Sequence, residues 1–83
     1  DTFIYKPGEG TDRIMDYASG DVLQILKANG SAGSFKSSKF SGGALTLNIS
    51  GGGSVIFAGV TKGDTFNINN TGYKISGSKL VKK

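Results

Sequence analysis

The part of the sequence best suited to chemistry is residues 5–21, YKPGEGTDRIMDYASGD. Two glycines one residue apart, Gly8 and Gly10, lead to Asp12 and then to the apolar Ile14. A glycine turn lets backbone carbonyl oxygens converge, and hard cations such as Ca²⁺ prefer carbonyl and carboxylate oxygens as ligands. The stretch is therefore either a turn that holds a cation or a turn that only redirects the chain between two strands, with Asp12 capping backbone amides.

The sequence lacks the side chains that many catalytic sites need. It contains no cysteine and no histidine. This removes thiol nucleophiles, disulfide bonds, the usual zinc ligands and any serine triad that uses an imidazole. Asp12 and Asp16 are four residues apart, so on one strand they would share a face and could share a cation or Arg13; exposed carboxylates are the simpler interpretation. We predict that the chain is not an enzyme.

Short β-strands are the elements that must position these residues. Apolar residues recur at every second position, while glycine and serine interrupt every helical window. In ALTLNIS (44–50) the apolar residues share one face, and SGGGS (50–54) predicts a hairpin that makes SVIFAGV (54–60) its antiparallel neighbour. The predicted strands are Thr2–Tyr5, Arg13–Tyr17, Asp21–Lys27, Ser34–Phe40, Ala44–Ser50, Ser54–Val60, Thr65–Ile68, Gly72–Ser76 and Lys79–Val81.

Two sets of segments show weak self-similarity. In the first set, an aspartate enters an apolar, alternating segment: DTFIY (1–5), GDVLQI (20–25) and GDTFNI (63–68). In the second set, a serine-glycine turn precedes a strand: SGGALTL (41–47), SGGGSVIF (50–57) and SGSKLV (76–81). Recurring units of a turn and a strand at short spacing are typical of a solenoid or a meander.

The charges are divided unevenly along the chain. Residues 1–26 hold five acids and two bases, whereas residues 27–83 hold eight lysines and one acid, Asp64. The lysines are scattered singly along alternating strands, which favours solvated strand faces and protected sheet edges over nucleic-acid binding. No apolar run approaches the ~20 residues that a helix needs to span a bilayer. We therefore predict no nucleic-acid partner and no membrane span.

The segment PGEGTDRIM (7–15) resembles the nonapeptide G-G-x-G-x-D-x-U-x of the haemolysin-type (RTX) calcium-binding repeats. Pro7 replaces the first glycine, and the following positions are in register: Gly8, Gly10, Asp12 and Ile14. DTFI (1–4) is similar to the second half of a preceding repeat, with Asp1 and Phe3 at the aspartate and apolar positions. The continuation to Ile25 resembles the sequence that commonly follows the last repeat, so the resemblance covers residues 1–26.

The resemblance implies a parallel β-roll, in which glycine turns and the aspartate offer oxygens to Ca²⁺. The implied ligands are Gly8, Gly10 and Asp12, and the implied cofactor is Ca²⁺. Together with the strand pattern, this predicts an all-β fold of short β-roll or solenoid-like turn units continuing into an antiparallel sheet or small sandwich. We expect one domain over residues 1–83, with a degenerate calcium-repeat-like segment at 1–26 and a Gly/Ser-rich β meander at 27–83.

The expected function is structural. The resemblance implies a C-terminal β-roll end or capping region, belonging to a larger bacterial protein that is secreted by the type I route. Its partners would be neighbouring repeat units of the parent protein. Two alternatives stay open: a small adhesion or carbohydrate-binding module that uses tyrosine and lysine side chains, and a self-associating module that adds strands edge to edge. The tyrosines are Tyr5, Tyr17 and Tyr73.

Overall fold

The computed structural model describes residues 2–6, 8, 10–18 and 20–83. These residues form strands and no helix, so the all-β prediction is confirmed. The expectations for Asp1 and Pro7 lie outside the described residues. The strands are β1 (Thr2–Tyr5), β2 (Thr11–Ile14), β3 (Val22–Ile25), β4 (Phe35–Ser41), β5 (Ala44–Ile49), β6 (Ser54–Ala58), β7 (Thr65–Ile68), β8 (Thr71–Ser76) and β9 (Lys79–Lys82).

The strands form two mixed sheets that do not close into a barrel. Sheet A has the order β1-β3-β7-β8-β9, and sheet B has the order β2-β6-β5-β4. Neighbours β1, β3 and β7 are parallel in sheet A, and β2 is parallel to β6 in sheet B. The remaining neighbours are antiparallel. From β1 to β3 the chain alternates between the sheets, and it crosses from sheet B to sheet A again between β6 and β7.

The two kinds of self-similar segment correspond to two kinds of strand connection. The aspartate segments contain β1, β3 and β7, which lie side by side and parallel in sheet A. The turns before β3 and β7 are closed alike: Asp21 Oδ2 accepts the Ala18 amide at 3.1 Å, and Asp64 Oδ2 accepts the Thr61 amide at 3.0 Å. The serine-glycine segments instead form the turns of antiparallel hairpins, namely β4–β5, β5–β6 and β8–β9.

The core lies between the sheets, and the β5–β6 hairpin supplies much of it. β5 and β6 are antiparallel neighbours, as the sequence predicts. In the observed register Leu45 lies opposite Phe57 and Leu47 lies opposite Val55. All four of these side chains are fully buried. Sheet A covers them with apolar side chains of its own strands, which include Leu23, Ile25, Phe66 and Ile68. Period-two alternation on both hairpin strands is therefore sufficient to define the central part of the core.

The predicted second strand, Arg13–Tyr17, is wrong in its bounds. β2 runs from Thr11 to Ile14, because its parallel ladder with β6 begins at Ser54 and ends at Phe57. Tyr17 has left the strand: its ring stacks on Phe66 at a centroid distance of 4.8 Å, and its hydroxyl donates to the Thr65 carbonyl at 2.8 Å. Asp12 therefore lies in β2 and Asp16 in the bend after it, so the two carboxylates do not share a strand face.

At one side of the molecule the edge strands of the two sheets contact each other. There the sheets terminate in β4 and β9, which contact each other, and hydrogen bonds join β4 to β9 and to the turn before it. The Phe40 amide donates to the Ser78 carbonyl at 2.6 Å, and the Leu80 amide donates to Ser38 Oγ at 2.8 Å. Exposed lysines on both strands make these edges unattractive to a further strand: Lys36, Lys39, Lys79 and Lys82. We call this the closed end.

The opposite end is open. There the sheets terminate in β1 and β2, whose outer edges pair with no other strand of the described residues. The large apolar side chains that are exposed among the described residues both lie at this end: Ile4 on β1 is 52 % exposed and Met15, directly after β2, is 67 % exposed. We call this the open end, and it carries the residues that the sequence singles out for chemistry.

Candidate functional site at the open end

One carbonyl oxygen connects the glycine turn between β1 and β2 to the neighbouring strands through hydrogen bonds. Gly8 and Gly10 have φ of 92° and 75°, a left-handed conformation that glycine adopts without a steric penalty. The Gly10 carbonyl oxygen accepts the Tyr5 hydroxyl at 2.8 Å and the Ser54 amide at 3.0 Å. This oxygen thus joins the end of β1 and the turn to the start of β6.

Gly53 makes this junction sterically possible. Its φ is 82°, and a Cβ atom at this position would lie 2.6 Å from the Gly10 carbonyl oxygen. The Tyr5 hydroxyl lies closer still to that point. Tyr5 itself is buried, with only 1 % of its surface exposed. Gly53, the last glycine of the β5–β6 hairpin, therefore leaves the space that the turn between β1 and β2 occupies, in addition to forming part of its own hairpin.

Asp12 lies on the inward face of β2. It pairs with buried Val55, two residues before Ile14 pairs with buried Phe57, while Thr11 and Arg13 point outward and are exposed. Its side chain is half-buried. Within residues 2–6, 8, 10–18 and 20–83 its carboxylate has no hydrogen-bond or ion-pair partner. The expectation that Asp12 caps backbone amides is therefore not met among these residues.

The three predicted Ca²⁺ ligands lie in the turn between β1 and β2 and in β2 itself. The Gly10 carbonyl oxygen already accepts two hydrogen bonds, which leaves the Gly8 carbonyl and the Asp12 carboxylate as the other two predicted ligands. The described residues contain no group of three or more acidic, histidine or cysteine side chains that could hold a metal ion. Ca²⁺ takes six to eight oxygens, so an ion at this turn needs ligands beyond Gly8, Gly10 and Asp12.

A cleft lies between β1 and β2 at the open end. Its volume is about 230 Å³, and it is open to solvent. Apolar side chains of both sheets line most of it, and Asp12 and Arg13 are its charged residues. Consecutive strand residues point to opposite faces, so these two neighbours do not pair with each other. The cleft thus combines apolar side chains of both sheets with two charged residues, of which Asp12 is half-buried and Arg13 is exposed.

The tyrosines proposed for sugar binding are mostly engaged within the protein. Tyr5 is buried, and Tyr17 packs against Phe57 and Phe66 with its hydroxyl bonded to a backbone carbonyl. Burial raises the pKa of the Tyr17 phenol, whose ordinary value already leaves it protonated at neutral pH. Tyr73 is half-buried and packs edge-on against Phe35 at 5.3 Å. Two of the three tyrosines therefore serve the core.

Asn69 is a key structural residue that the sequence analysis does not single out. Its side chain accepts the Ile25 amide at 2.7 Å and donates to the carbonyls of Ile25 at 3.2 Å and Gly33 at 2.7 Å. Asn69 and Asn70 have φ of 51° and 65° and form the two-residue turn between β7 and β8. An Asn-Asn pair between two alternating segments is a signal for such a turn, but nothing local indicates the contacts with β3.

The chain matches no protein-family model, and no curated protein or solved structure is significantly similar to it. In the part of the chain that the structure describes, there is no helix of the length and apolar character that a membrane crossing requires.

Proposed function

We propose that the chain is a non-enzymatic terminal module that covers the end of a coiled array of β-strand repeats. The observation that carries this proposal is the difference between its two ends. β1 and β2 leave both sheets open on one side, and the contact between β4 and β9 closes them on the other. A preceding repeat could extend both sheets at the open end, whereas the closed end stops further growth.

The winding of the first strands supports this role. β1, β2 and β3 alternate between the sheets, and β3 returns to lie parallel beside β1, as one turn of a β-roll does. After the β4–β5 insertion, β6 and β7 lie parallel beside β2 and β3. A turn placed before β1 would continue this arrangement with one strand beside β1 and one beside β2. It would cover the cleft and the free side of Phe3, since terminal repeats need a neighbour to bury their apolar faces.

The proposal also includes a relationship to a known family of proteins. The Gly-x-Gly-x-Asp turn at residues 8–12 is what links the chain to the haemolysin-type calcium-repeat proteins, and through them to bacterial type I secretion. In this proposal Ca²⁺ binds only where a second turn stacks on the first and supplies the oxygens that one turn lacks. The partners are then the neighbouring repeat units of the parent protein.

Fusion of repeat turns to either end tests the capping role. Two G-G-x-G-x-D-x-U-x turns placed before residue 1 should raise the midpoint of thermal unfolding in CaCl₂ by several degrees, because they bury apolar surface of the open end. The same two turns placed after Lys83 should give no such rise, since β4 and β9 already close that end. Equal midpoints for the two fusions would contradict the proposal.

The response to Ca²⁺ should depend on the added turns. For the 83-residue chain alone, unfolding midpoints in millimolar CaCl₂ and in chelator should agree, because the Gly10 oxygen is engaged and Asp12 alone cannot hold the ion. The chain with two turns before residue 1 should melt higher in CaCl₂ than in chelator. A clear Ca²⁺ stabilisation of the unfused chain that Asp12→Ala removes would show instead that the single turn is a complete site.

A further inference from the structure

A second cleft lies between the two sheets, away from the open end. Its volume is about 220 Å³. Residues around the start of β4 form one wall, and the β7–β8 hairpin forms the other. None of the lining residues belongs to β1 or β2, so a turn that covers the open end does not have to cover this cleft. We call it the aromatic cleft, after its lining residues Phe35 and Tyr73.

Two aromatic rings supply much of the apolar surface of the aromatic cleft. Phe35 is the first residue of β4, Tyr73 lies in β8, and both are half-buried. Their rings meet edge to face, with centroids 5.3 Å apart and an interplanar angle of 66°. Two hydroxyl side chains, Ser34 and Thr71, line the same cleft. The combination suits a sugar, whose C–H groups pack on an aromatic ring while its hydroxyl groups form hydrogen bonds.

Lys82 brings a positive charge to the rim of the aromatic cleft. It lies opposite Tyr73 in the β8–β9 ladder. Two positions along the same ladder, Ile75 lies opposite Leu80, and both are buried. Lys82 and Tyr73 therefore lie on the same inward face of sheet A. Because β9 is the edge strand of that sheet, Lys82 is exposed, and no carboxylate of the described residues pairs with its ammonium group.

The surroundings of the aromatic cleft are cationic. Lys36 directly follows Phe35, and Lys83 donates its backbone amide to the Gly72 carbonyl at 3.1 Å. Asp64 is the only acidic residue in residues 27–83, and it precedes β7, whereas the cleft lies at the other end of that strand. An anion that enters the cleft therefore meets lysines and no acidic side chain of the described residues.

We propose that the aromatic cleft binds an acidic polysaccharide, with a pyranose ring packed against Tyr73 and an anionic group of the sugar bonded to Lys82. This inference goes beyond the capping function and does not depend on it. A neutral glycan leaves Lys82 without a partner, and an acidic peptide makes little use of the ring and the hydroxyl groups. A single-stranded nucleic acid needs rings in series for successive bases, whereas the two rings here contact each other.

A neighbouring depression provides room for a chain of sugars. Ser34 lines the aromatic cleft, and its hydroxyl donates to the Ser50 hydroxyl at 3.2 Å. Ser50 in turn lines a depression of about 370 Å³, which it shares with Lys27. A polysaccharide that leaves the cleft across the two serines therefore reaches a further lysine. For this reason an oligomer should bind more tightly than a single acidic sugar.

Calorimetric titration of the 83-residue chain at one fixed ionic strength tests the inference. Polygalacturonate and dextran sulfate are the acidic polysaccharides, and the tighter of the two identifies the anionic group as a carboxylate or a sulfate. Dextran has the sugar without the charge, while polyglutamate and oligothymidylate have the charge without a pyranose. We expect binding of an acidic polysaccharide that is clearly tighter than the binding of these three.

Two lysine variants on β9 separate the cleft from general charge attraction. Lys82→Gln should weaken binding roughly tenfold, because it removes a charge-assisted hydrogen bond. Lys79→Gln is the matched control, since Lys79 lies opposite Ser76 on the outward face of the same strand and is exposed. Its affinity should stay within about twofold, as expected for an exposed charge outside the site. Tyr73→Leu should also weaken binding, with urea unfolding used to confirm that this variant is folded.

Each other outcome overturns a stated part of the inference. Equal binding of dextran removes the need for an anionic group, and equal binding of polyglutamate or oligothymidylate removes the need for a sugar. Equal losses for Lys82→Gln and Lys79→Gln show attraction to the whole surface and no defined site. If neither acidic polysaccharide binds, the inference as a whole is wrong. The capping function is unaffected by any of these results, because the unfolding of the fusion proteins tests it separately.

Discussion

Gly53→Ala should destabilise the protein strongly, by roughly 3 kcal/mol or more, the sum of left-handed strain for alanine and a steric clash in a packed junction. The new methyl group would lie 2.6 Å from the Gly10 carbonyl oxygen and still closer to the Tyr5 hydroxyl. If either atom moved away alone, the hydrogen bond between the two would lengthen. For a chain of this length, the total free energy of unfolding is about 4–12 kcal/mol. Urea unfolding should therefore show that a large part of it is lost.

Gly59→Ala is the matched control for this substitution. Gly59 has φ of 72°, close to the 82° of Gly53, but a Cβ atom there would meet nothing within 4 Å. Gly59→Ala should therefore lower the free energy of unfolding only by the backbone strain, about 1–2 kcal/mol. Adding Tyr5→Phe to Gly53→Ala should recover part of the difference, because it removes the nearer of the two clashing atoms. Equal losses for Gly53→Ala and Gly59→Ala would show that the junction at Gly10 does not restrict Gly53.

Asn69→Ala should also lower the free energy of unfolding strongly, by roughly 3 kcal/mol, because it leaves several partly buried backbone groups without partners. The amide and carbonyl of Ile25 and the carbonyl of Gly33 would each lose a hydrogen bond to the side chain. These bonds attach the β7–β8 turn to the end of β3 and to the loop that follows it. Chemical denaturation gives the loss in free energy of unfolding.

Asn70→Ala separates the lost hydrogen bonds from backbone strain. Asn70 adopts a similar left-handed φ, 65° against 51° for Asn69, and it is exposed. Its replacement should cost about 1–2 kcal/mol from backbone strain alone. In addition, Asn69→Gly should remain clearly destabilised although glycine relieves the strain. If Asn69→Gly were as stable as the unmodified chain, the side-chain bonds would contribute nothing and the account of this turn would be wrong.

The parts of the fold that follow from local pattern are predictable from the sequence. Alternation in residues 44–50 and 54–58 defines which side chains are buried, and the glycines between these segments define an antiparallel hairpin. The aspartate segments at residues 1–5, 20–25 and 63–68 are similar because their strands occupy equivalent positions side by side in sheet A. In these cases the information lies within a few residues of the structure that it determines.

The features that the sequence does not reveal depend on contacts between distant segments. β2 starts at Thr11 and not at Arg13 because β6, more than 40 residues later, sets its register. From the sequence alone, the Gly10 carbonyl oxygen is as suitable for Ca²⁺ as any other carbonyl. In the fold it already accepts hydrogen bonds from the Ser54 amide and the Tyr5 hydroxyl. Likewise, the inward direction of Asp12 follows from the true bounds of β2. A motif read along the chain cannot show which of its oxygens the fold itself will use.

The central claim is that β1 and β2 present free edges that a preceding turn covers, and amide hydrogen exchange tests it residue by residue. In the 83-residue chain, the amides of β1 and β2 that point away from β3 and β6 should exchange rapidly, while those of β5 and β6 are protected. With two repeat turns before residue 1, these outward amides should gain strong protection, and the amides of β4 and β9 should be unchanged. Rapid exchange of the β1 and β2 edges in both proteins would contradict the claim.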